Sequence, residues 1–440
     1  MRAVKLAEWV VSIADAPTEV KRSAVLVVLD ALACSLAGLK LEGPAAARAV
    51  TRELWGAGPS SVWFTGEKTS PHGAAFANSM AVSILDYDDG HRMAEGHLGA
   101  AMVPAVLAEA EVIRANAKRV LTAIAIGYEV ATRIAKSRDP ETVLTGASGR
   151  WCGQGVAAAI GWLRQDDAIT IAHAMSLADT IAPYAMATED TQVGNHVKEA
   201  IPDGTKNGLE KLAAARKGML GPIDFLDRER FDSSVLTRDL ADGWYIETTY
   251  FKPYSCCRWI HAPIDAVLQQ RDSVMDWDAV KEIVVGTFER TLTLNNQKKP
   301  STLQSAQYSV PFCVASAALY GAGCLQPITP GLLGDAKVLA LAEKVVVKVD
   351  EDLESVYPDE TSGRVSIVMS DHASPEPVYV EIAKGDSRNP MSYDERLRKL
   401  RKCGAEVLDE RGLSRLEEAL VFLRDQREIE PLFRCLAATT

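Results

Sequence analysis

The stretch LDYDDGHRMAEGH (85–97) packs three aspartates, one glutamate and two histidines into thirteen positions, directly after a run of small apolar residues. Side chains of these types can hold a metal, move a proton or form a solvated turn. A metal site built from Asp86, Asp88, Asp89, His91 and His97 requires three or four of them to converge on one ion, and neither an HExxH pair nor an EF-hand loop is present. The aspartates can equally cap a helix end or pair with lysines. The residues alone leave the three readings open.

Two further constellations carry charge. YFKPYSCCRWIHAPIDAVL (250–268) sets Lys252, Arg258 and His261 around prolines and adjacent cysteines. Arginine offers a fork of donors and lysine a point charge, a combination suited to carboxylates, although both also fit ordinary surface cations beside an interdomain turn. Cys256 and Cys257 read as packed small residues, because nothing marks a lowered thiol pKa. GNHVKEAIPDGTKNGLEKLAAARKG (194–218) places His196, Lys198 and Lys206 just before and inside a helix, whose N-terminus with lysines nearby reads as an anion site. His173 reads as a packed helix residue, and His72 and His372 as loop residues.

These groups need elements to position them. Up to about residue 220 the apolar periodicity is helical and alanine-rich: a helix starts after Pro17, with Thr18 as candidate cap, and stops near Gly38. Others are expected over 100–115, 119–137, 154–164, 167–181 and 206–217. Their small residues let neighbouring backbones approach closely. After about residue 265 the pattern changes to short β-branched runs, VKEIVVGTF, KVVVKVDEDL, GRVSIVMSD and EPVYVEIAKGD, the last two read as a hairpin. AQYSVPFCVASAALYGAG reads as a helix between the first two, and amphipathic helix returns from about 391. The expected fold class is mainly α: a large all-helical domain built from both ends of the chain (1–264 and 392–440), with a smaller α+β domain (265–391) inserted.

The length of 440 residues suits two such domains, and 47% hydrophobic with 24% charged residues is a globular balance. A formal net charge of −11 and a sequence pI near 5.3 argue against nucleic-acid or anionic-membrane partners. The N-terminus lacks the apolar core of a secretory signal, no run reaches the ~18 apolar residues of a spanning helix, and eight cysteines show no CxxC pair. A reduced, cytoplasmic protein is expected.

Taken together, HGAAFANSMAVSILDYDDGH followed by GHLGAAMVPAVLAEAE resembles the pattern AAFANG…ALDYDDTH…HPGAAVIPAALALAE of the MmgE/PrpD family. GYEVATRIA (127–135), KPYSCCRWIHAPIDA (252–266), AQYSVPFCVASAAL (306–319) and GDSRNPMSYDERLRKLRKC (385–403) follow in that family's order, so the resemblance runs nearly end to end. It implies a large helical domain with a smaller α+β lid, a homodimer, and an interdomain cleft for small polycarboxylates that needs neither metal nor organic cofactor. Asp86, His97, Lys198 and Lys252 match positions the family uses in its active site. On that footing His97 is the expected base or acid, with Asp86 orienting it or relaying the proton and His91 a second candidate acid. Lys198, Lys252 and Arg258, with Asp89 and His261, are expected to bind substrate. A proton next to a carboxylate is weakly acidic, so its removal needs a placed base and cations to hold the developing charge.

The expected activity is therefore a cofactor-independent lyase, a dehydratase or decarboxylase acting on a small di- or tricarboxylate. An isomerase or epimerase sharing the same first step, or a non-catalytic paralogue, are the alternatives. Four departures from the family pattern bear on this. Gly90 stands where threonine is common, VLTGASGRWCGQG lacks a histidine, VKEAI replaces TKRLH and so puts Ile201 where a histidine is usual, and Phe312 replaces a tyrosine. Lost polar contacts of this kind imply a changed substrate or reaction.

Overall fold

The computed structural model describes all residues except 140–144, 189–190, 192–193, 239, 241–242, 371–372 and 439–440. Among the described residues the chain is mainly helical. Helices α1 (Arg2–Ser12), α2 (Thr18–Gly38), α3 (Glu42–Trp55), α4 (Pro71–Ser83), α5 (Gly99–Ile113), α6 (Ala117–Lys136), α7 (Cys152–Leu163), α8 (Ala168–Thr180) and α9 (Ile201–Arg216) precede residue 220. A two-residue ladder, β1 (Ser60–Ser61) with β2 (Lys68–Thr69), lies between α3 and α4. Next come α10 (Ser233–Thr237), α11 (His261–Gln270), β3 (Val280–Thr287), α12 (Leu303–Gln307), α13 (Val310–Tyr320) and α14 (Ala336–Glu343). Then β4 (Val345–Val349), α15 (Glu351–Glu354), β5 (Gly363–Met369) and β6 (Val378–Val380) follow, and α16 (Tyr393–Gly404), α17 (Glu410–Arg424) and α18 (Glu430–Leu436) close the chain.

Each expected helix forms within a few residues of its anticipated bounds, because the periodic burial that defines it is local. Thr18 is the first helical residue rather than the cap, since Pro17 occupies the cap position. His72 stands in the first turn of α4 and not in a loop, because Ser70 caps that helix and Pro71 opens it. The helix expected over AQYSVPFCVASAAL is divided: Ser309 starts a new helix by accepting from the Phe312 amide, and the break lies at Tyr308. The Ser392–Glu395 capping box starts α16.

Small residues do what the alanine-rich pattern suggests. A Cβ on Gly208 in α9 would stand against the Gly153 carbonyl of α7, so the two backbones meet directly. The four-stranded sheet has order β4-β3-β5-β6, with β3 parallel to β4 and antiparallel to β5, and β5 antiparallel to β6. The expected hairpin therefore forms, while His372 in its connection lies outside the described residues. Helix α11 packs on β5 and β6, and α13 on β4 and α14. Helix α16 returns to pack on α2, so both chain ends enter one helical mass. Buried apolar residues form a continuous cluster from Ala3 to Leu436. All eight cysteines are free, and no single described helix is long and apolar enough to cross a membrane.

Candidate active site

Helix α4 ends in a turn that places Asp86 in the left-handed region, φ 51°, which aspartate tolerates better than most residues. That conformation presents both the main-chain carbonyl and the carboxylate of Asp86 to one cation: Lys252 Nζ donates to Asp86 O at 3.0 Å and to Oδ2 at 3.0 Å. Lys198 Nζ donates to Asp86 Oδ1 at 2.5 Å and to the Tyr308 hydroxyl at 2.8 Å. All three charged side chains are about 1% exposed or less. Burial alone would raise the Asp86 pKa, but the two lysines outweigh it and hold the carboxyl well below its usual range. Burial likewise opposes the charge on Lys252, and Asp86 more than restores it, raising its pKa. Buried charges of this kind persist only as mutually paired groups.

Two residues on, Asp88 takes a separate partner. Its Oδ2 lies 3.0 Å from His97 Nδ1 in a fully buried contact. His97 Nε2 then stands 3.4 Å from Asp86 Oδ1 and 3.9 Å from Glu199 Oε1. Burial lowers the proton affinity of His97, while Asp88 and Asp86 raise it, and the net shift is upward. Asp88, absent from the expected site residues, is thus the group that fixes the imidazole, whereas Asp86 anchors the lysines. Glu199 was also not anticipated. Its Oε2 accepts from the Ser148 amide at 3.0 Å and hydroxyl at 2.7 Å, and Ser148 Oγ in turn accepts from the His97 amide at 3.0 Å.

His97, Asp86, Lys252 and Arg258 line one cavity of about 280 Å3, together with Arg92, Glu199, Tyr250 and Tyr308. Its walls come from the loop after α4, residues 145–146, 186–188 and 199, the stretch from Tyr250 to Trp259, and Arg290, Leu294, Tyr308, Tyr357 and Asp386 of the sheet-bearing part. The Arg258 guanidinium donates to the Lys384 and Ala383 carbonyls at 2.9 and 3.2 Å and lies 3.7 Å from Asp386, so burial rather than solvent surrounds it. The surface-cation reading of Lys252 and Arg258 does not hold.

The remaining expected residues lie behind this wall. The ring of His91 packs edge-on to Tyr128 and Tyr245, and its Nε2 meets the Thr248 hydroxyl at 2.8 Å. Burial, followed by Arg92 and Lys136, pulls its pKa down to about 4. Asp89 accepts from the Tyr128 hydroxyl at 3.0 Å, and burial beside Asp30 and Asp88 pushes its pKa up to about 8. His261 stacks near Tyr254 and meets the Cys256 carbonyl at 3.3 Å, while burial and Arg258 keep it neutral. None of the three is a cavity-lining residue. Lys198 does not line the cavity and reaches the site through Asp86 and Tyr308. Lys206 pairs with Asp203 instead. The three aspartates thus diverge to separate partners, and no described cluster of three or more His, Cys, Asp or Glu side chains could hold a metal ion. Cys257 reaches the cavity, but burial raises its thiol pKa above the ordinary value.

Of the sequence departures, Gly90 has a local explanation. A Cβ on Gly90 would stand against the hydroxyl and Cζ of Tyr250, whose backbone pairs with Gly90 in both directions. The phenol occupies the space a threonine would fill. Ile201 and Phe312 are buried core residues outside the cavity lining. Lys399 on α16 connects the two charged segments: its Nζ donates to Asp30 Oδ1 at 2.7 Å, the Tyr87 carbonyl at 2.7 Å and the Lys252 carbonyl at 3.1 Å. Asp88 and Arg92 were in plain view within the opening stretch; their spacing did not say which side chain faces inward.

Comparison with known proteins agrees along the chain. Residues 4–239 match the MmgE/PrpD N-terminal domain and residues 254–422 the MmgE/PrpD C-terminal domain. The chain is 24% identical to the cis-aconitate decarboxylase-like protein oryM of Aspergillus oryzae, over 98% of this chain and 96% of that one. It is 25% identical to the cis-aconitate decarboxylase of Aspergillus terreus, over 98% and 95%. With both domains matched in order across most of its length, the chain belongs to the MmgE/PrpD family.

Proposed function

We propose that the protein is a cofactor-independent lyase of the dehydratase or decarboxylase type, acting on a small polycarboxylate by proton transfer at a carbon next to a carboxylate. The observation that carries this reading is His97: its Nδ1 is held by Asp88, and its side chain lines a cavity together with Lys252. A base so oriented needs no reorganisation before it meets a C–H bond. Removing that proton puts negative charge on the adjacent carboxylate, and Lys252 with the guanidinium groups of Arg258 and Arg92 supplies positive charge where it accumulates. The imidazolium then returns the proton to the leaving hydroxyl in a dehydration. In a decarboxylation no C–H proton is removed: the C–C bond to the departing carboxylate breaks and its electron pair stays on the substrate carbon. His97, entering the step as the imidazolium with a proton taken from solvent, delivers that proton to the same carbon. The similarity to a cis-aconitate decarboxylase and to a cis-aconitate decarboxylase-like protein supports the lyase class.

The reading includes two domains, 1–264 with 392–440 and 265–391, the second acting as a lid, and a homodimeric cytoplasmic enzyme. Cavity walls contributed by both parts of the chain support the lid. Proton NMR in heavy water with a panel of di- and tricarboxylates tests the chemistry. Deuterium entry next to a carboxylate together with new vinyl signals is the expected result, and His97→Ala abolishes both. Exchange without elimination identifies an epimerase instead; undiminished turnover in His97→Ala removes that residue from the mechanism.

A further inference from the structure

Glu199 is a charge the proton-transfer reading does not use. Residues 198–200 run through three consecutive left-handed conformations, φ 47°, 54° and 53°, a backbone held only where its surroundings demand it. Ser148 occupies Oε2 with two donors, which leaves Oε1 at the cavity wall 3.9 Å from His97 Nε2. This carboxylate is therefore fixed before any substrate arrives. It stands, moreover, in VKEAI, where the resembling pattern TKRLH has a cation.

The cation inventory limits what the cavity can bind. Four cationic and four acidic side chains line it, so the wall is charge-balanced with His97 neutral and carries one positive charge with His97 protonated. Lys252 spends two N–H groups on Asp86, Arg258 donates from Nη1 and Nη2 to two carbonyls beside Asp386, and Arg290 pairs with Glu95 at 3.4 Å. The third N–H of Lys252 and Arg92 Nη1, which is buried and without a hydrogen-bond partner among the described residues, remain for carboxylates. That is provision for two anionic groups, with Glu199 facing a third position.

We infer that Glu199 is a specificity-determining residue and that the substrate is a dicarboxylate bearing a protonated amine, which donates to Glu199 Oε1. Such a molecule offers two carboxylates to the two free donors and a cation to Glu199, whereas a third carboxylate would meet Glu199 directly. The inference rests on the polycarboxylate reading above and narrows it.

Calorimetric titration of the wild-type chain and Glu199→Gln tests it. The probes are aspartate against succinate, glutamate against glutarate, and tricarballylate, with circular dichroism to verify folding. In the wild type, one amino acid of the two pairs is expected to bind at least about tenfold tighter than its amine-free partner and than tricarballylate. Glu199→Gln is expected to shrink the amine preference to within about threefold and to tighten tricarballylate about tenfold. Equal wild-type affinities within both pairs, or ratios unmoved by the substitution, overturn the inference while leaving the polycarboxylate reading intact. Failure of every probe to bind either folded protein refutes the polycarboxylate reading, and this one with it.

Discussion

Replacing Asp88 by asparagine isolates the step on which the proposed mechanism depends. The two side chains have the same shape, so the buried packing is kept and only the charge opposite His97 Nδ1 is lost. Two unit charges 3.0 Å apart, the observed separation, interact by about 5–6 kcal/mol at an effective dielectric constant near 20. Desolvation consumes part of that, and a hydrogen bond to a charged group has a net worth of about 1.5–3 kcal/mol. At 1.36 kcal/mol per factor of ten, the expected loss in the rate of deuterium exchange or elimination is about 10- to 150-fold. The sign of the pH effect follows from the same contact. Asp88 raises the proton affinity of His97, so its neutralisation lowers that affinity and moves the acid limb of the rate profile to lower pH. Turnover within twofold of the wild type, with an unmoved acid limb, would refute the assignment of Asp88 as the group that positions the base.

Asp89→Asn probes stability rather than turnover. The folded carboxyl keeps its proton up to about pH 8, whereas the unfolded one loses it near 3.8, so rising pH across that window favours the unfolded state. Asparagine is neutral throughout, and its gain in Tm over the wild type is expected to be larger at pH 8 than at pH 5.5; equal gains would contradict the buried neutral carboxyl. Lys399→Met leaves Asp30 buried without its cation and is expected to cost about 3–5 kcal/mol in urea unfolding. Asp30→Leu with Lys399→Met should recover most of this stability yet not the activity, because the Tyr87 and Lys252 carbonyls have lost their common donor. Gly90→Ala drives a methyl group against Tyr250 and is expected to destabilise by about 1–3 kcal/mol, relieved by adding Tyr250→Ala. An unchanged urea midpoint for the single variant would show that the phenol yields freely.

The sequence by itself determined the elements and the family. Helix periodicity, strand composition and turn chemistry act over a few residues, so α2, α5 to α9 and the β5–β6 pair could be read without knowing their neighbours. Motifs in order identified the lineage for the same reason: they are contiguous strings. What only the tertiary structure decided is which charges meet. Asp86 is 112 residues from Lys198 and 166 from Lys252 along the chain, and no local rule joins them. Within DYDD, three carboxylates of one type take three different partners, Lys198 and Lys252 for Asp86, His97 for Asp88 and Tyr128 for Asp89. The left-handed turn at Asp86 and the packing around it set those directions, and they depend on elements hundreds of residues away. His91 and His97 are likewise equivalent as letters. One is pressed between two tyrosine edges and the other lines a cavity, because burial and direction are properties of the assembled fold.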